Sequence, residues 1–152
     1  MSFKQLIWGV KASFRSYVEA AEGNISVSDG AIRTEDGSFL FKAIPGGDLI
    51  VAPDGSVNGS MRFQGKVTFE AHGGMLNATL SELGIDIEAG ELVLTCLDAP
   101  MNKDRCAIAK LKLVDQDSNV AITLQSEITD DGMYQIADNY PTGTELDPVH
   151  LQ

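Results

Sequence analysis

The hydrophobic positions of this chain change period once. Phe3, Leu6, Ile7, Val10, Phe14, Tyr17 and Val18 recur at i, i+3, i+4, i+7, i+11, i+14 and i+15. That spacing predicts one face of an α-helix, with Gly23 as its stop signal. The stripe ends on a phenol, Tyr17, which needs a polar partner. Beyond Gly23 the period becomes two. "NISVSDGAI" and "SFLFKAI" read as short strands separated by Asp-Gly turns. Val57, Met61, Phe63, Val67 and Phe69 mark alternating stretches between further glycine turns. "MLNATLSELGIDIEAGELVLTCL" gives two or three strands, and "CAIAKLKLVDQDSNVAITLQSEITDDG" gives a hairpin about "DQDSN". "GMYQIADNY" fits a short helical turn. The prolines of "PTGTELDPVHLQ" confine the C-terminal segment to a loop and an edge strand.

One helix followed by roughly nine or ten strands at 8–12-residue spacing predicts a mainly β fold. The expected architecture is an antiparallel β-sandwich or partly open barrel with a short N-terminal α-helix. With no internal repeat, linker or low-complexity tract, residues 1–152 read as a single domain.

Composition narrows the function classes. Acidic residues outnumber basic ones 22 to 11, a net charge of −11. Nucleic acid and anionic membranes demand clustered Lys and Arg, so neither is an expected partner. No apolar stretch reaches the roughly 18 residues of a membrane span. "MSFKQLIWGV" lacks the cleavage site of a signal peptide. The expectation is a cytoplasmic chain, or an extracellular or surface one whose export signal has been trimmed. Cys96 and Cys106 are the only cysteines. They lack zinc-site number and CxxC spacing, and their segments can face each other across a hairpin. A disulfide and two reduced, buried thiols both remain open.

The catalytic inventory is thin. No HExxH, GxSxG, Walker or Rossmann pattern is present. "DAPMNKD" and "DQDSN" lack the Gly and terminal Glu of an EF-hand loop, so they read as solvated turns. His150, two residues from the C-terminus, reads as solvated. His72, in "FEAHGGMLN", ends an alternating strand before a Gly-Gly turn.

Three stretches, in order, carry a resemblance. "WGVKASFRSYVE" is similar to an opening W-G-x-K-x-S-F-x-x-Y, "GKVTFEAHGGMLNATLS" to a strand, histidine and G-x-L-x-x-x-L-S, and "YPTGTELDPV" to a closing Y-x-x-G-T-x-L-D-P-V. Together they resemble the HtaA-domain family of bacterial haem-binding and haem-uptake proteins over nearly the whole chain. The resemblance implies a tyrosine from the opening helix, here Tyr17, as axial ligand to haem iron. It implies a histidine, here His72, hydrogen-bonded to that tyrosine's oxygen. It also implies a third signature tyrosine, here Tyr140, whose role is pocket packing or structural support. The implied cofactor is haem b, Fe(III) protoporphyrin IX, and the implied role is haem acquisition or transfer without catalysis. Implied partners are haem donor or acceptor proteins and a second copy of the chain, as a homodimer through an exposed haem face.

The chemistry is coherent with those residue types. A free phenol has a pKa of about 10, and ferric iron, a hard Lewis acid, favours the phenolate. A histidine beside it supports the metal-bound form, and tyrosine ligation is an established haem arrangement. On a helix, Ser13 lies four residues before Tyr17, placed to bond a propionate if the haem lies along the helix. Phe14 is a candidate contact to the porphyrin face. Val10 and Trp8 read as core, and Lys11 and Arg15 as propionate partners or solvated surface. Gly73 and Gly74 would let the chain turn closely past a ligand. The cysteine pair lies outside the motif. Two other classes predict different behaviour. A haem-dependent peroxide-consuming enzyme would release oxygen from peroxide faster than free haemin. A degenerate β-domain binding another hydrophobic ligand or a protein would give no Soret shift with haemin.

Overall fold

The structure, a computed structural model, describes residues 3–98, 104–117, 121–137 and 139–152. Asp115–Asp117 of "DQDSN" end β12, while residues 118–120 and most of the "DAPMNKD" loop lie outside the described residues. In chain order the elements are β1 (Gln5–Trp8), α1 (Ala12–Ala20), β2 (Asn24–Ser28), β3 (Ile32–Arg33), β4 (Phe39–Ile44), β5 (Ile50–Val51), β6 (Val57–Asn58) and β7 (Met61–Phe63). They continue with β8 (Lys66–Ala71), β9 (Leu76–Ser81), β10 (Gly84–Glu88), β11 (Glu91–Leu97), β12 (Arg105–Asp117), β13 (Ala121–Ile128), α2 (Asp130–Gln135) and β14 (Glu145–Leu151).

The mainly β expectation holds, and the architecture is a closed barrel. Antiparallel neighbours run β1-β14-β13-β12-β11-β10-β7-β4, and β4 pairs back onto β1. β1 closes the circle because it is bonded on both edges. Leu6 lies opposite Leu151 on one side and Phe41 on the other. A second, three-stranded sheet, β2-β8-β9, carries α1 against β2 and β8 and approaches α2 and β11 through β9.

Two expectations about the ends are corrected. The helix does not begin at Phe3: residues 5–8 form β1 and the helix is confined to Ala12–Ala20. Leu6 and Trp8 are buried while Gln5 and Ile7 are half-buried, which is strand alternation. The helical offsets in this stretch were coincidental, because barrel closure supplies two bonding edges that an isolated stripe cannot reveal. The C-terminal segment is also not an edge strand. β14 lies between β13 and β1. Its Pro148 falls where the register with β13 shifts between Leu124 and Ser126. A bulge leaves one residue out of the ladder, so the missing proline N–H interrupts no bond.

The turn from β1 into α1 is closely packed. Val10 has φ +64, a conformation that a β-branched side chain rarely adopts, yet it is buried. Asp147 compensates. Its backbone N–H donates to the Val10 carbonyl (2.8 Å). Its carboxylate accepts from the Ala12 N–H at the helix start (3.1 Å) and pairs with Arg15 (2.7 Å). Its carbonyl accepts from the Trp8 indole (2.8 Å) and the Ser126 hydroxyl (2.7 Å). Gly9 is required by space: a Cβ there would press into Arg15 Nη1 and Asp147 Oδ2. The opening W-G and the closing D-P of the sequence therefore meet in one clamp that aims α1.

Candidate functional site

α1 buries Phe14 and Val18 and leaves Tyr17 at its margin, 48% exposed. The expectation that Tyr17 closes the core stripe is corrected in this respect: the phenol sits beside the core and faces outward. Phe14 packs on Phe69 of β8 at 5.0 Å between ring centroids, and Phe69 packs edge-on against Phe39 at 5.7 Å. Burying an aromatic ring of this size contributes about 1.5–3 kcal/mol, so α1 is held to β8 by a strong apolar contact. The helix ends in a chain reversal, with the Gly23 N–H bonded to the Val18 carbonyl (2.8 Å). Gly23 lies so close to Glu70 and Ala71 that a side chain would collide with β8.

His72 follows β8 directly. It adopts φ +54, and Gly73 and Gly74 follow at φ +66 and +95. Three successive positive φ values make a left-handed turn, which only glycines tolerate readily and histidine occasionally. A Cβ on Gly73 or Gly74 would meet nothing within 4 Å. The glycines are thus explained by conformation, and no protein atoms crowd them. The turn brings His72 Nε2 to 2.6 Å from the Tyr17 hydroxyl, the rings tilted 55° at 5.7 Å. With the imidazole neutral and protonated at Nδ1, the phenol donates to Nε2. With Nε2 protonated, the ring donates to the phenol oxygen.

Tyr17 of the pair lines an open cleft of about 510 Å³, within the roughly 300–1,000 Å³ typical of small-molecule sites. Its walls come from the start of β9 (Leu76, Asn77) and from α2 and the residues after it (Met133, Tyr134, Ile136, Ala137, Asn139), with Met75 beside Tyr17. Met75 and Tyr134 are 91% and 85% exposed, large apolar side chains left in water at the cleft mouth. The α2 wall was not foreseen. "GMYQIADNY" had signalled only a possible helical turn, and nothing in its spacing pointed to the cleft. α2 starts earlier, at Asp130, capped by the Thr129 hydroxyl, which accepts from the Gly132 N–H (3.0 Å).

The other candidates are distributed as follows. Phe14 is inside the core rather than on the cleft wall. Tyr140 is half-buried, edge-on to Phe14 at 6.2 Å and beneath the Lys11 ammonium at 5.8 Å. It therefore supports α1 from the side, and no contact links it to the Tyr17–His72 pair. Ser13 is exposed on α1. Arg15 is neither solvated nor free, because it is sequestered by Asp147, and Lys11 donates to the Glu145 carbonyl (2.8 Å). Val10 and Trp8 are buried, as expected. His150 shares a contact with Thr123 on β13 and takes no part in the cleft. Among the described residues no group of three or more His, Cys, Asp or Glu could hold a bare metal ion, and no helix is long and apolar enough to cross a membrane.

Comparison with known proteins agrees with this architecture. The family model described as Htaa matches residues 4–152. No curated protein matches the chain. Among solved structures, the chain is similar to the C-terminal domain of HtaA from Corynebacterium glutamicum, with TM-score 0.75 and 23% identity over 98% of this chain and 95% of that one. It is also similar to the N-terminal domain of the same protein, with TM-score 0.73 and 26% identity over 99% and 97%. A third similar structure is the haem-binding protein HtaB of that organism, with TM-score 0.71 and 20% identity over 98% and 91%.

Proposed function

The chain belongs to the HtaA family, and from that premise we propose that it binds ferric haem b in the cleft beside α1, with the Tyr17 oxygen as axial ligand, and serves in haem acquisition or transfer. The observation that carries this reading is the 2.6 Å contact between His72 Nε2 and the hydroxyl of Tyr17, which lines an open cleft of mixed apolar and polar side chains. A porphyrin, a flat apolar ring with polar propionates at one edge, suits walls of Met, Leu, Ile, Ala and Tyr with Asn77 and Asn139 among them. A single protein oxygen holds a metal only when the remaining donors arrive with the ligand. Haem supplies them, together with a Lewis-acidic ferric centre that favours an anionic oxygen.

The chain's own residues divide the remaining tasks. Tyr17 presents its oxygen and gives up its proton. His72 lies within hydrogen-bond reach to take that proton at Nε2, then donates it back as a hydrogen bond to the phenolate, which lowers the cost of the charged form. The left-handed turn at His72–Gly74 fixes the imidazole, and the Asp147 clamp fixes the helix. Met75 and Tyr134, exposed at the mouth, lose water on contact with a bound ring. Release is built into the same arrangement. A cleft this open leaves one edge of the ligand accessible to a partner protein, and return of the proton from His72 to Tyr17 restores a weak, neutral ligand. His72 is committed to Tyr17, which favours carrying over turnover.

Haemin titration of the purified chain tests the binding step, and mixing the loaded protein with apomyoglobin tests release. The account expects saturable one-to-one binding and complete transfer to the acceptor. An absorbance trace identical to free haemin would remove the binding assignment, and haem that apomyoglobin cannot withdraw would remove the transfer role.

A further inference from the structure

The two cysteines play no part in the haem reading, yet they are placed as a functional pair. Cys96 on β11 lies directly opposite Cys106 on β12 in the antiparallel ladder. Directly opposed residues share one face of the sheet, with Cα atoms about 4.5–5.5 Å apart. A disulfide spans about 4.4–6.8 Å between Cα atoms, so the ladder holds the two residues within its reach. Both thiols are free. Cys96 is wholly buried and Cys106 is half-buried, packed against the core from the rim. We propose that Cys96 and Cys106 are a redox-active pair that closes a cross-strand disulfide, with Cys106 as the attacking thiol.

The asymmetry of the pair sets the order of events. As a thiol, Cys106 donates to the Cys96 carbonyl (Sγ to O 3.8 Å). As a thiolate it accepts from the Cys96 S–H, and that hydrogen bond pulls the Cys106 thiol below its ordinary range while burial opposes it. The same bond, together with burial, pushes the Cys96 thiol up. The thiolate is the nucleophile, so the rim sulfur reacts first with a low-molecular-weight disulfide such as glutathione disulfide. Cys106 forms a mixed disulfide and expels one glutathione thiolate. Cys96 then loses its proton, attacks the Cys106 sulfur and expels the second glutathione. Two protein thiols are oxidised and one glutathione disulfide is reduced to two glutathiones, so atoms and electrons balance.

The bond would fall beneath one wall of the cleft. The carbonyls of Ala107 and Ile108, the next two residues of β12, accept from Thr129, the cap of α2, through its hydroxyl (2.6 Å) and backbone N–H (3.1 Å). Gly132 of α2 packs so closely on β12 that a Cβ would collide with the Ile108 carbonyl. Oxidation therefore ties down the strand on which α2, with Met133 and Tyr134, is seated.

The test is incubation of the full chain with glutathione disulfide, followed by alkylation without reduction and mass measurement. The proposal expects wild-type protein to lose both alkylatable thiols and two hydrogens of mass, and its Tm to rise by roughly 5–10 °C. Cys96→Ala should accumulate one glutathione on Cys106, whereas Cys106→Ala should remain unmodified until unfolded. The wild-type measurement stands even if a variant folds poorly. Two thiols that stay alkylatable, a stable glutathione adduct on the wild type, or equal reactivity of the two single variants would overturn the proposal.

Discussion

Tyr17 and His72 meet three residues beyond a second contact between the same two segments, that of Phe14 with Phe69. The inner contact joins two buried rings at 5.0 Å, and the outer one joins a phenol and an imidazole at 2.6 Å. One helical turn on α1 and a left-handed turn after β8 carry the chain from one to the other. The core contact sets the spacing at which the polar contact forms, so the chemistry of the cleft is anchored in packing.

Phe69→Ala should therefore act on both. Truncating a fully buried aromatic ring costs about 3–5 kcal/mol, read as a shift of the urea midpoint at constant slope. Haemin affinity should fall with it, since α1 loses the surface that locates Tyr17. Stability loss with unchanged haemin affinity would separate the two contacts.

Gly9→Ala places a methyl group between Arg15 and Asp147. The pair is largely sheltered, with side chains 12% and 26% exposed, so parting it leaves charges poorly solvated and frees the start of α1. The expected loss is about 1–3 kcal/mol, checked by thermal and denaturant unfolding. Asp147→Ala should cost at least as much, because it removes the helix-start acceptor together with the ion pair.

Gly73→Ala and Gly74→Ala probe the turn that aims His72. Neither methyl would meet a neighbour, so the cost is conformational, about 1 kcal/mol or somewhat more. Gly73 at φ +66 is in the left-handed helical region, and Gly74 at φ +95 lies outside it. The Gly74 variant should be the less stable of the two in calorimetry, and a reversed order would contradict the turn geometry.

Acid should loosen two surface turns. The Thr34 hydroxyl and the Ser38 N–H hold the Asp36 carboxyl below its ordinary range, and the Ser56 N–H and hydroxyl do the same for Asp54. Folded pKa values below the unfolded value of about 3.9 mean that this stabilisation is fully present above about pH 4 and disappears as pH falls through the folded values. Asp36→Asn and Asp54→Asn should flatten the stability profile below about pH 4 and leave its shape near neutrality unaltered.

Much of this was legible in the sequence, for identifiable reasons. Period-two alternation located most strands, and the motif pattern named Tyr17 and His72, which the fold brings together. The hairpin reading of "LTCLDAPMNKDRCAI" lets the two cysteine segments face each other, and the ladder pairs Cys96 with Cys106. Three features were not legible. β1 was hidden in a helical spacing because its two bonding partners, β4 and β14, come from distant parts of the chain. The prolines make β14 look like an edge, because Pro148 sits in a bulge that only pairing with β13 creates. The α2 wall of the cleft, with Tyr134, depends on how β12 seats a short helix, and local pattern does not record that.

The most direct test of the central claim is the visible spectrum of haemin-loaded wild type against Tyr17→Phe, taken with resonance Raman excitation in the charge-transfer region. Ferric phenolate bands and phenolate ring modes should appear in the wild type and vanish in Tyr17→Phe, while His72→Ala retains them in weakened form. An unchanged spectrum in Tyr17→Phe would place the axial ligand on another residue and contradict the account.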